Sequence, residues 1–257
     1  MKKSILAMGL LGSLALGGTS TPALADGDEA ASSGFSGYVT LTSDYRFRGI
    51  SQSDTGAALQ ADVMYTLDCG VFFEAWASNV DFSGFSDSDA SIEIDLTAGY
   101  ATSLSDYTDV SIKATYYLYP NYDAVPGDPD DINYWEIIAG ISRKFGKTVG
   151  SIEVAWSPEL PDDSGQSWAV TGGLDVPLRD SFWFFDGGLS ASGHFGVQSY
   201  DDAALNSYTY WDLGLSTAVG ALELDARYVD TDLDPIDCGI DACEEGFVFS
   251  ATVAFGG

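Results

Sequence analysis

The stretch YVTLTSDYRFR, residues 38–48, divides its side chains between two faces when it is read with the two-residue period of a β-strand. One face carries Val39, Leu41, Tyr45 and Phe47. The opposite face carries Tyr38, Thr40, Thr42, Asp44, Arg46 and Arg48. A register shift of one residue would exchange the two faces. The stretch therefore predicts a strand that is apolar on one side and polar on the other.

The same alternation continues to the end of the chain and predicts twelve strands. They cover residues 36–48, 57–67, 71–80, 91–101, 108–119, 133–143, 148–157, 167–176, 182–195, 207–218, 221–229 and 246–255. One face of each strand is apolar and uncharged, whereas the other holds charged residues among Ser, Thr and Gly. The charged residues of the polar face are candidates to line a pore: Asp44, Arg46, Arg48, Asp62, Glu74, Glu93, Asp95, Asp109, Lys113, Glu136, Glu153, Asp175, Asp186, Asp212, Glu223, Asp225 and Arg227.

Alternation alone leaves open which face points inward, since a soluble barrel or sandwich alternates with its apolar face inside. The connections favour a membrane barrel, because short turns alternate with longer loops, as they do in outer-membrane barrels. The short turns lie near residues 67–70, 102–107, 144–147, 177–181 and 219–220. The longer loops lie near residues 49–56, 81–90, 120–132, 158–166, 196–206 and 230–245, and they are rich in Asp and Glu. One end of the barrel is therefore expected to be acidic.

The aromatic residues and the width of the barrel lead to the same conclusion. Aromatic side chains collect toward the ends of the apolar face, as interfacial girdles require. They are Tyr45, Phe47, Tyr65, Tyr100, Trp135, Trp156, Trp168, Trp211 and Tyr228. A barrel of about twelve strands is too wide for side chains to fill, so an apolar interior would leave a large cavity. We therefore predict an all-β, transmembrane, antiparallel up-and-down β-barrel of twelve strands with a polar lumen.

The amino terminus has the three parts of a cleaved signal peptide. Lys2 and Lys3 precede an apolar run, and Ala23-Leu24-Ala25 forms a small-residue cleavage site. We predict a signal peptide over residues 1–25, a short segment over residues 26–34 and the barrel over residues 35–257. Such a protein would be exported to the outer membrane of a Gram-negative bacterium, where lipid and lipopolysaccharide would surround it.

The net charge and the last predicted strand indicate which macromolecules the chain is expected to bind. The chain has 10 Lys and Arg against 39 Asp and Glu, a net charge of −29, which excludes nucleic acid as an expected partner. The last predicted strand, FVFSATVAF at residues 247–255, resembles the carboxy-terminal strand that the outer-membrane assembly machinery recognises, although two glycines follow its terminal aromatic residue. The assembly machinery is therefore an expected partner.

The three cysteines predict one disulfide. Cys238 and Cys243 flank four residues in an acidic loop, and disulfides form in exported proteins, so we predict a bridge between them. Cys69 lies in a turn and is then left over. Zinc would need further His or Cys ligands nearby, so we predict no metal site and no cofactor.

Carboxylates outnumber basic groups on the polar face, which predicts a passive channel for small hydrophilic solutes that prefers cations. Charged neighbours in the lumen either form a selectivity constriction or pair with each other and brace the wall. These two interpretations apply to Asp44 with Arg46 and Arg48, to Arg227 with Glu223 and Asp225, and to Lys113 with Asp109. The acidic loops either keep the surface soluble or bind divalent cations, although no calcium-loop spacing occurs.

Other functions remain open at this point. A closed structural or adhesive barrel would show a lumen filled by paired Arg and Glu. An outer-membrane hydrolase would use His194, the single histidine, with Ser192 and Asp186 on the same face. The sequence contains no Gly-x-Ser-x-Gly motif, so we do not predict an enzyme. A soluble, lipocalin-like binder in the periplasm is the remaining alternative.

The segment DYRFRGISQS, residues 44–53, resembles the strand-one signature of the TorF-like porin family, an exported Gram-negative group. The segments WASNVDF, residues 76–82, and IEIDLTAGY, residues 92–100, look like further parts of the pattern of that family. The resemblance covers most of the chain after the signal peptide and is strongest before residue 140. It implies an outer-membrane barrel of the porin type, and it assigns no catalytic or binding residues.

Overall fold

The computed structural model describes residues 33–83, 90–122, 132–160, 165–181, 188–201, 205–234 and 241–256. The predicted signal peptide therefore lies outside the described residues. The described chain forms β1 (Gly34–Thr42), β2 (Arg46–Phe47), β3 (Ile50–Ser51), β4 (Ala58–Thr66), β5 (Val71–Asn79), β6 (Ile92–Ser105), β7 (Thr108–Leu118), β8 (Tyr134–Phe145), β9 (Thr148–Ser157), β10 (Ser167–Arg179), β11 (Leu189–Tyr200), β12 (Tyr208–Val219), β13 (Leu222–Thr231) and β14 (Gly246–Gly256).

The long strands close into one barrel. From β4 to β14, each strand pairs antiparallel with the next strand along the chain, and β1 completes the circle by pairing with both β4 and β14. The strands β2 and β3 form a separate two-stranded sheet. Closure leaves the twelve barrel strands without a free edge. The prediction of an all-β transmembrane barrel of twelve antiparallel strands is confirmed. No helix within the described residues is long and apolar enough to cross a membrane.

The apolar face of the barrel strands points outward and the polar face points inward. Leu213 on β12 exposes 62% of its surface, whereas its neighbour Asp212 exposes 1%. Leu41, Leu59, Leu96, Ile112, Ile152, Leu215 and Phe249 are also exposed on the outside. A surface of this kind is suited to lipid, because a soluble protein would bury such side chains.

Aromatic side chains ring the outside of the barrel at both ends. At the end with the longer loops, Trp156 contacts Trp135 and Trp168, with ring centroids 5.7 and 6.2 Å away, and Tyr228 contacts Trp211 at 5.4 Å. At the end with the short turns, Phe35 packs on Tyr65 at 4.7 Å. These positions agree with the girdles that anchor a barrel at two membrane interfaces.

Several predicted bounds differ from the structure. The predicted turn at residues 102–107 begins too early, because β6 runs on to Ser105, and the predicted loop at residues 196–206 begins too early, because β11 runs on to Tyr200. The predicted turn at residues 177–181 and the predicted strand at 182–195 are wrong, because β10 runs on to Arg179 and β11 spans Leu189–Tyr200. Pro177 is tolerated in β10 because it lies beyond the last residue pair with β9, Asp175 with Val149, so its missing N–H costs no bond there. The predicted first strand, 36–48, is wrong beyond Thr42, where β1 ends.

Candidate functional site

After β1 the chain leaves the barrel wall and folds into the lumen. The last backbone hydrogen bond between β1 and its neighbour β14 is donated by the Ser43 N–H to the Phe249 carbonyl at 2.9 Å. Tyr45, predicted on the outer face, is 0% exposed, and Phe47 packs on Tyr117 inside the barrel at 6.1 Å. The predicted outward positions of Tyr45 and Phe47 are therefore wrong. We call residues 43–57, the connection between β1 and β4, the lumen loop.

The tip of the lumen loop is a tight hairpin. Arg46 pairs with Ser51, and Phe47 pairs with Ile50, which leaves Arg48 and Gly49 as the turn. Their φ angles are 48° and 89°, both in the left-handed region, as a type I′ turn requires. Arg48, Arg46 and Asp44 were predicted to lie along the first barrel strand, and that placement is wrong. The chain leaves the strand here because it contains three residues that favour turns over a continued strand, Ser43, Asp44 and Gly49.

Gly49 is required at the tip for two reasons, its positive φ and its close packing. A Cβ atom there would lie 2.4 Å from Thr231 Cγ2 and 3.0 Å from Tyr210 Cβ. We expect Gly49→Ala to lower the free energy of unfolding by about 2–4 kcal/mol, from left-handed strain and overpacking together. The measurement is urea unfolding of the refolded protein in detergent.

Gly146→Ala is the matched control for this prediction. Gly146 also has a positive φ, 69°, but its Cβ would meet no atom within 4 Å. This variant should lose only the backbone contribution of about 1–2 kcal/mol. Equal losses in the two variants would contradict close packing of the lumen loop against β12 and β13.

A polar network holds the lumen loop together. The Asp44 carboxylate accepts hydrogen bonds from Arg46 Nε, from Ser51 Oγ at 2.6 Å and from Ser53 Oγ at 3.2 Å. The Ser53 hydroxyl in turn accepts the Tyr45 N–H at 2.9 Å. Asp44 and Arg46 are both buried. The charges of this pair therefore stabilise the loop and do not face an open pore.

The lumen loop is also fixed to the acidic end of the barrel. Arg46 Nη1 donates to the carbonyls of Ala242 and Glu244, at 3.1 and 2.9 Å, and the Ser51 N–H donates to Ala242 at 2.7 Å. On the other side, the Asp81 N–H donates to the Gln52 carbonyl at 2.8 Å. Hydrogen bonds from the Ser83 hydroxyl and N–H lower the pKa of the Asp81 carboxyl, which therefore stays charged at this anchor.

Arg48 crosses the lumen from the tip of the loop. Its guanidinium forms a bidentate ion pair with Glu136 on β8, at 2.9 and 2.7 Å, and donates to Gln198 Oε1 on β11 at 2.9 Å. Tyr117 donates its hydroxyl to the same Glu136 carboxylate at 3.0 Å. Bidentate, charge-assisted bonds of this kind are among the strongest that side chains make. Arg48 therefore ties the loop to strands on two sides of the barrel.

The lumen loop spans the barrel rather than lining one side of it. Tyr45 packs on Trp76 of β5 with centroids 5.3 Å apart, Arg48 reaches β8 and β11, and Gly49 lies against β12 and β13. Inward side chains at this level are almost inaccessible, with Glu136 and Gln198 each 1% exposed. The loop therefore fills much of the lumen in the half nearer the longer loops.

The half nearer the short turns is more accessible. The side chain of Glu153 on β9 is 32% exposed, that of His194 on β11 is 21% exposed and that of Asp225 on β13 is 11% exposed. Asp175, Ser192 and Glu223 are half-buried on the same inward face. Water therefore reaches inward side chains in this half of the lumen.

A second ion-pair network lies on β11, β12 and β13. Asp212 binds Arg227 and also lies 3.0 Å from His194 Nδ1. Arg227 donates further to Ser192 Oγ at 2.7 Å and to Asp225 at 3.3 Å, and Gly214 leaves room for its guanidinium. The Ser192 hydroxyl is thus a hydrogen-bond acceptor for Arg227. Asp186, the third residue of the predicted catalytic alternative, lies outside the described residues.

The other predicted pore-lining residues lie on the inward face. Lys113 is buried and its Nζ lies 3.8 Å from Glu153, whereas Asp109 accepts a hydrogen bond from the Ser103 hydroxyl at 2.6 Å. On β4, β5 and β6 four carboxylates face the lumen together: Asp62, Glu74, Glu93 and Asp95. Sequence reasoning placed these four correctly on one face of the sheet, but it gave no sign that the lumen loop packs beside them.

Of the cysteines, Cys69 is free and exposed in the turn between β4 and β5. Cys243 is buried and disulfide-bonded. Its predicted partner, Cys238, lies outside the described residues. Because Cys243 directly follows Ala242, a disulfide here would restrain the segment that binds Arg46 and Ser51.

Comparisons with known proteins identify a family and solved structures that are similar to this chain. A family model described as "Bacterial protein of unknown function (Gcw_chp)" matches residues 27–255. The solved structure of the NanC porin is similar, with a TM-score of 0.56 and 11% identity, and the match covers 86% of this chain and 99% of that one. The KdgM porin in complex with disordered oligogalacturonate gives a TM-score of 0.49 and 6% identity, with 87% and 99% covered.

The COG4313 outer membrane channel from Pseudomonas putida F1 gives a TM-score of 0.48 and 8% identity, with 86% and 94% covered. No curated protein matches the sequence. At these identities the similarity concerns the fold alone. The resemblance to TorF-like porins stays a prediction.

Proposed function

The chain belongs to the Gcw_chp family of bacterial proteins of unknown function, and on that premise we propose that it is an outer-membrane channel of the porin type. It carries small hydrophilic solutes down their gradients and prefers cations. The chain is exported with cleavage of residues 1–25, inserted by the outer-membrane assembly machinery and surrounded by lipid and lipopolysaccharide. It needs no cofactor and catalyses no reaction.

The observation that carries this proposal is the polar, partly accessible lumen inside an apolar closed barrel. Glu153, Asp175 and Asp225 line the accessible half, where His194 and the buried Arg227 are the basic groups on β11 and β13. An excess of carboxylates concentrates cations and repels anions in a confined aqueous path. The fold similarity to a protein described as a porin supports the same proposal.

The lumen loop is the constriction of the proposed channel. Solutes pass between it and the wall, or pass when it moves aside. Its own charges are paired, Arg46 with Asp44 and Arg48 with Glu136. Selection therefore falls to the carboxylates of the wall, such as Glu153, Asp175 and Asp225, and the two arginines do not create anion preference.

The selectivity can be measured as a reversal potential across a planar bilayer that separates two potassium chloride concentrations. We expect current steps from the refolded protein and a reversal potential of the sign that potassium preference gives, because carboxylates dominate the lining. Raising the ionic strength should weaken the preference by screening. A reversal potential of the opposite sign would contradict the carboxylate lining.

The closed structural barrel is the second candidate, and a specific observation favours it. The ion pairs Arg48–Glu136 and Arg227–Asp212, with Lys113 near Glu153, fill part of the lumen with paired charges. Such a barrel would be silent in the bilayer. Current steps from folded protein separate the two candidates.

A further inference from the structure

The basic side chains outside the lumen gather at one end of the barrel. The sequence has 10 Lys and Arg, of which Lys2 and Lys3 lie in the predicted signal peptide. Four more are buried inside the barrel: Arg46, Arg48, Lys113 and Arg227. The other four lie at the short-turn end of β8 to β10: Arg143, Lys144, Lys147 and Arg179. Because the net charge of the chain is −29, this basic group is an exception, and it can attract anions.

Arg143 points outward, to the side of the lipid. It continues the outward series of β8 after Trp135, Ile137 and Ile141, and it is exposed as they are. It is thus an exception to the uncharged outer face that the alternation predicts. Its pair with Thr108 is the last pair of β7 and β8 at the short-turn end, so it lies at the rim of the wall. A basic side chain at this rim reaches the lipid headgroups.

The guanidinium of Arg143 is held in place but is not neutralised. Its Nη1 donates to Thr108 Oγ1 at 3.0 Å, and its Cζ lies 5.8 Å from the centroid of the Phe145 ring. Within the described residues no carboxylate forms an ion pair with Arg143, whereas Lys147 binds Asp180 at 2.6 Å. The remaining N–H groups of the planar guanidinium match two oxygens of a phosphate group. Arg143 is therefore placed to bind an anion from outside the chain.

Two glycines leave a shallow gap in the outer surface beside Arg143. Gly150 of β9 is opposite Arg143 on one side and opposite Leu174 of β10 on the other. A Cβ atom at Gly150 would lie 3.5 Å from Phe145 Cε2 and 4.0 Å from Leu174 Cδ1, so these two side chains border the gap. Gly172, the next outward residue of β10 and farther from the rim, would place its Cβ within 4 Å of only one atom, a backbone oxygen. The gap therefore leads from the guanidinium along the apolar wall, and an acyl chain fits along it.

From these observations we infer that Arg143 binds the phosphate of an anionic phospholipid, one of whose acyl chains lies over Gly150 and Gly172. The charge of the basic group complements the headgroup, and the apolar gap favours a lipid over free phosphate, which gains nothing from apolar contacts. The acidic loops at the opposite end of the barrel repel phosphates, so the site selects the leaflet at the short-turn end. The inference goes beyond the proposed channel and holds whether or not the lumen conducts.

The test is native mass spectrometry of the full mature protein, refolded in detergent and titrated with phosphatidylglycerol. We expect the protein to retain this lipid, to retain phosphatidylcholine more weakly because its headgroup has no net charge, and to keep the lipid when inorganic phosphate is added. Arg143→Gln should raise the dissociation constant of phosphatidylglycerol roughly tenfold, which is the loss of about one charge-assisted contact. Gly150→Leu fills the gap without changing the charge, and it should also weaken binding.

Lys147→Gln is the matched control, because it removes one positive charge from the same end but Lys147 is already paired with Asp180. It should bind phosphatidylglycerol as the unchanged protein does. If Arg143→Gln does not fold, Arg143→Lys replaces it, and its binding should also be weaker because an ammonium group lacks the planar pair of donors. The inference is overturned if the unchanged protein retains both lipids equally, if inorganic phosphate displaces the lipid, or if the Arg143 variant binds as the Lys147 control does.

Discussion

Replacing Arg48 with alanine is expected to raise the single-channel conductance roughly twofold or more, because the constriction loses its attachment to two walls. Hydrogen bonds to charged groups contribute about 1.5–3 kcal/mol each to stability, and Arg48 makes two to Glu136 and one to Gln198. A loss of about 3 kcal/mol raises the population of displaced loops about a hundredfold. Single-channel recording in a planar bilayer measures the change.

Two further variants test whether the change in conductance comes from the loss of the Arg48 contacts. Glu136→Gln keeps the shape of the acceptor but removes its charge, so its conductance should fall between those of the unchanged protein and Arg48→Ala. Lys147→Ala breaks an ion pair with Asp180 that joins the β8–β9 turn to the connection after β10. The two side chains are 72% and 85% exposed, so the variant should leave the conductance unchanged. If Arg48→Ala conducts like the Lys147 control, the loop does not limit the current.

Leu215→Arg is expected to destabilise the barrel in a bilayer by about 2–4 kcal/mol, because the outward face would then place a charge near the membrane centre. Leu215 is 51% exposed on β12 and pairs with Ala191 and Ala226 in the middle of the wall. The measurement is reversible unfolding in urea from lipid vesicles.

Val219→Arg is the control on the same strand. Val219 is the last residue of β12, it also faces outward, and it lies where the chain turns into β13. The cost of arginine near the interface falls to about 0–1 kcal/mol. Equal and small losses of unfolding free energy at both positions would mean that water, not lipid, surrounds the barrel. That result would favour the soluble, lipocalin-like binder instead.

The barrel strands were predictable because one face of each strand contacts lipid and the other faces the polar lumen, so apolar and polar side chains alternate along it. The segment IEIDLTAGY of β6 alternates without exception, since Ile92, Ile94 and Leu96 face outward and Glu93 and Asp95 face inward. The same rule placed Lys113, Glu136, Asp212 and Arg227 on the inner face from parity alone. Side-chain direction in a strand is a local property, so the sequence carries it directly.

The lumen loop was not predictable from alternation, because the small hairpin also alternates. Asp44, Arg46 and Arg48 keep the parity of Thr40 and Thr42, and only the turn residues Ser43 and Gly49 mark the departure from the wall. Whether a polar hairpin points into water or into the lumen depends on partners far away in the chain. Glu136 and Gln198, 88 and 150 residues from Arg48, decide that direction.

The boundary between β10 and β11 depends on how far each strand extends beyond its neighbours. A proline normally ends a strand, so the sequence predicts a turn at Pro177. The residue is accommodated because only β11 pairs with β10 at that height, with Pro177 opposite Ser190. The stagger between neighbouring strands allows a proline at this position. The alternation of side chains within one strand does not show the stagger, so the sequence did not predict it.

We propose that the barrel conducts and that the lumen loop restricts its pore. The most direct measurement is single-channel recording of two refolded proteins in the same bilayer, the unchanged chain and a variant in which residues 44–55 are replaced by a short Gly-Ser link. Discrete steps from both proteins, larger in the variant, are the expected result. Silence from both, with folding verified by heat-modified mobility in gel electrophoresis, would contradict the claim and leave the closed structural barrel.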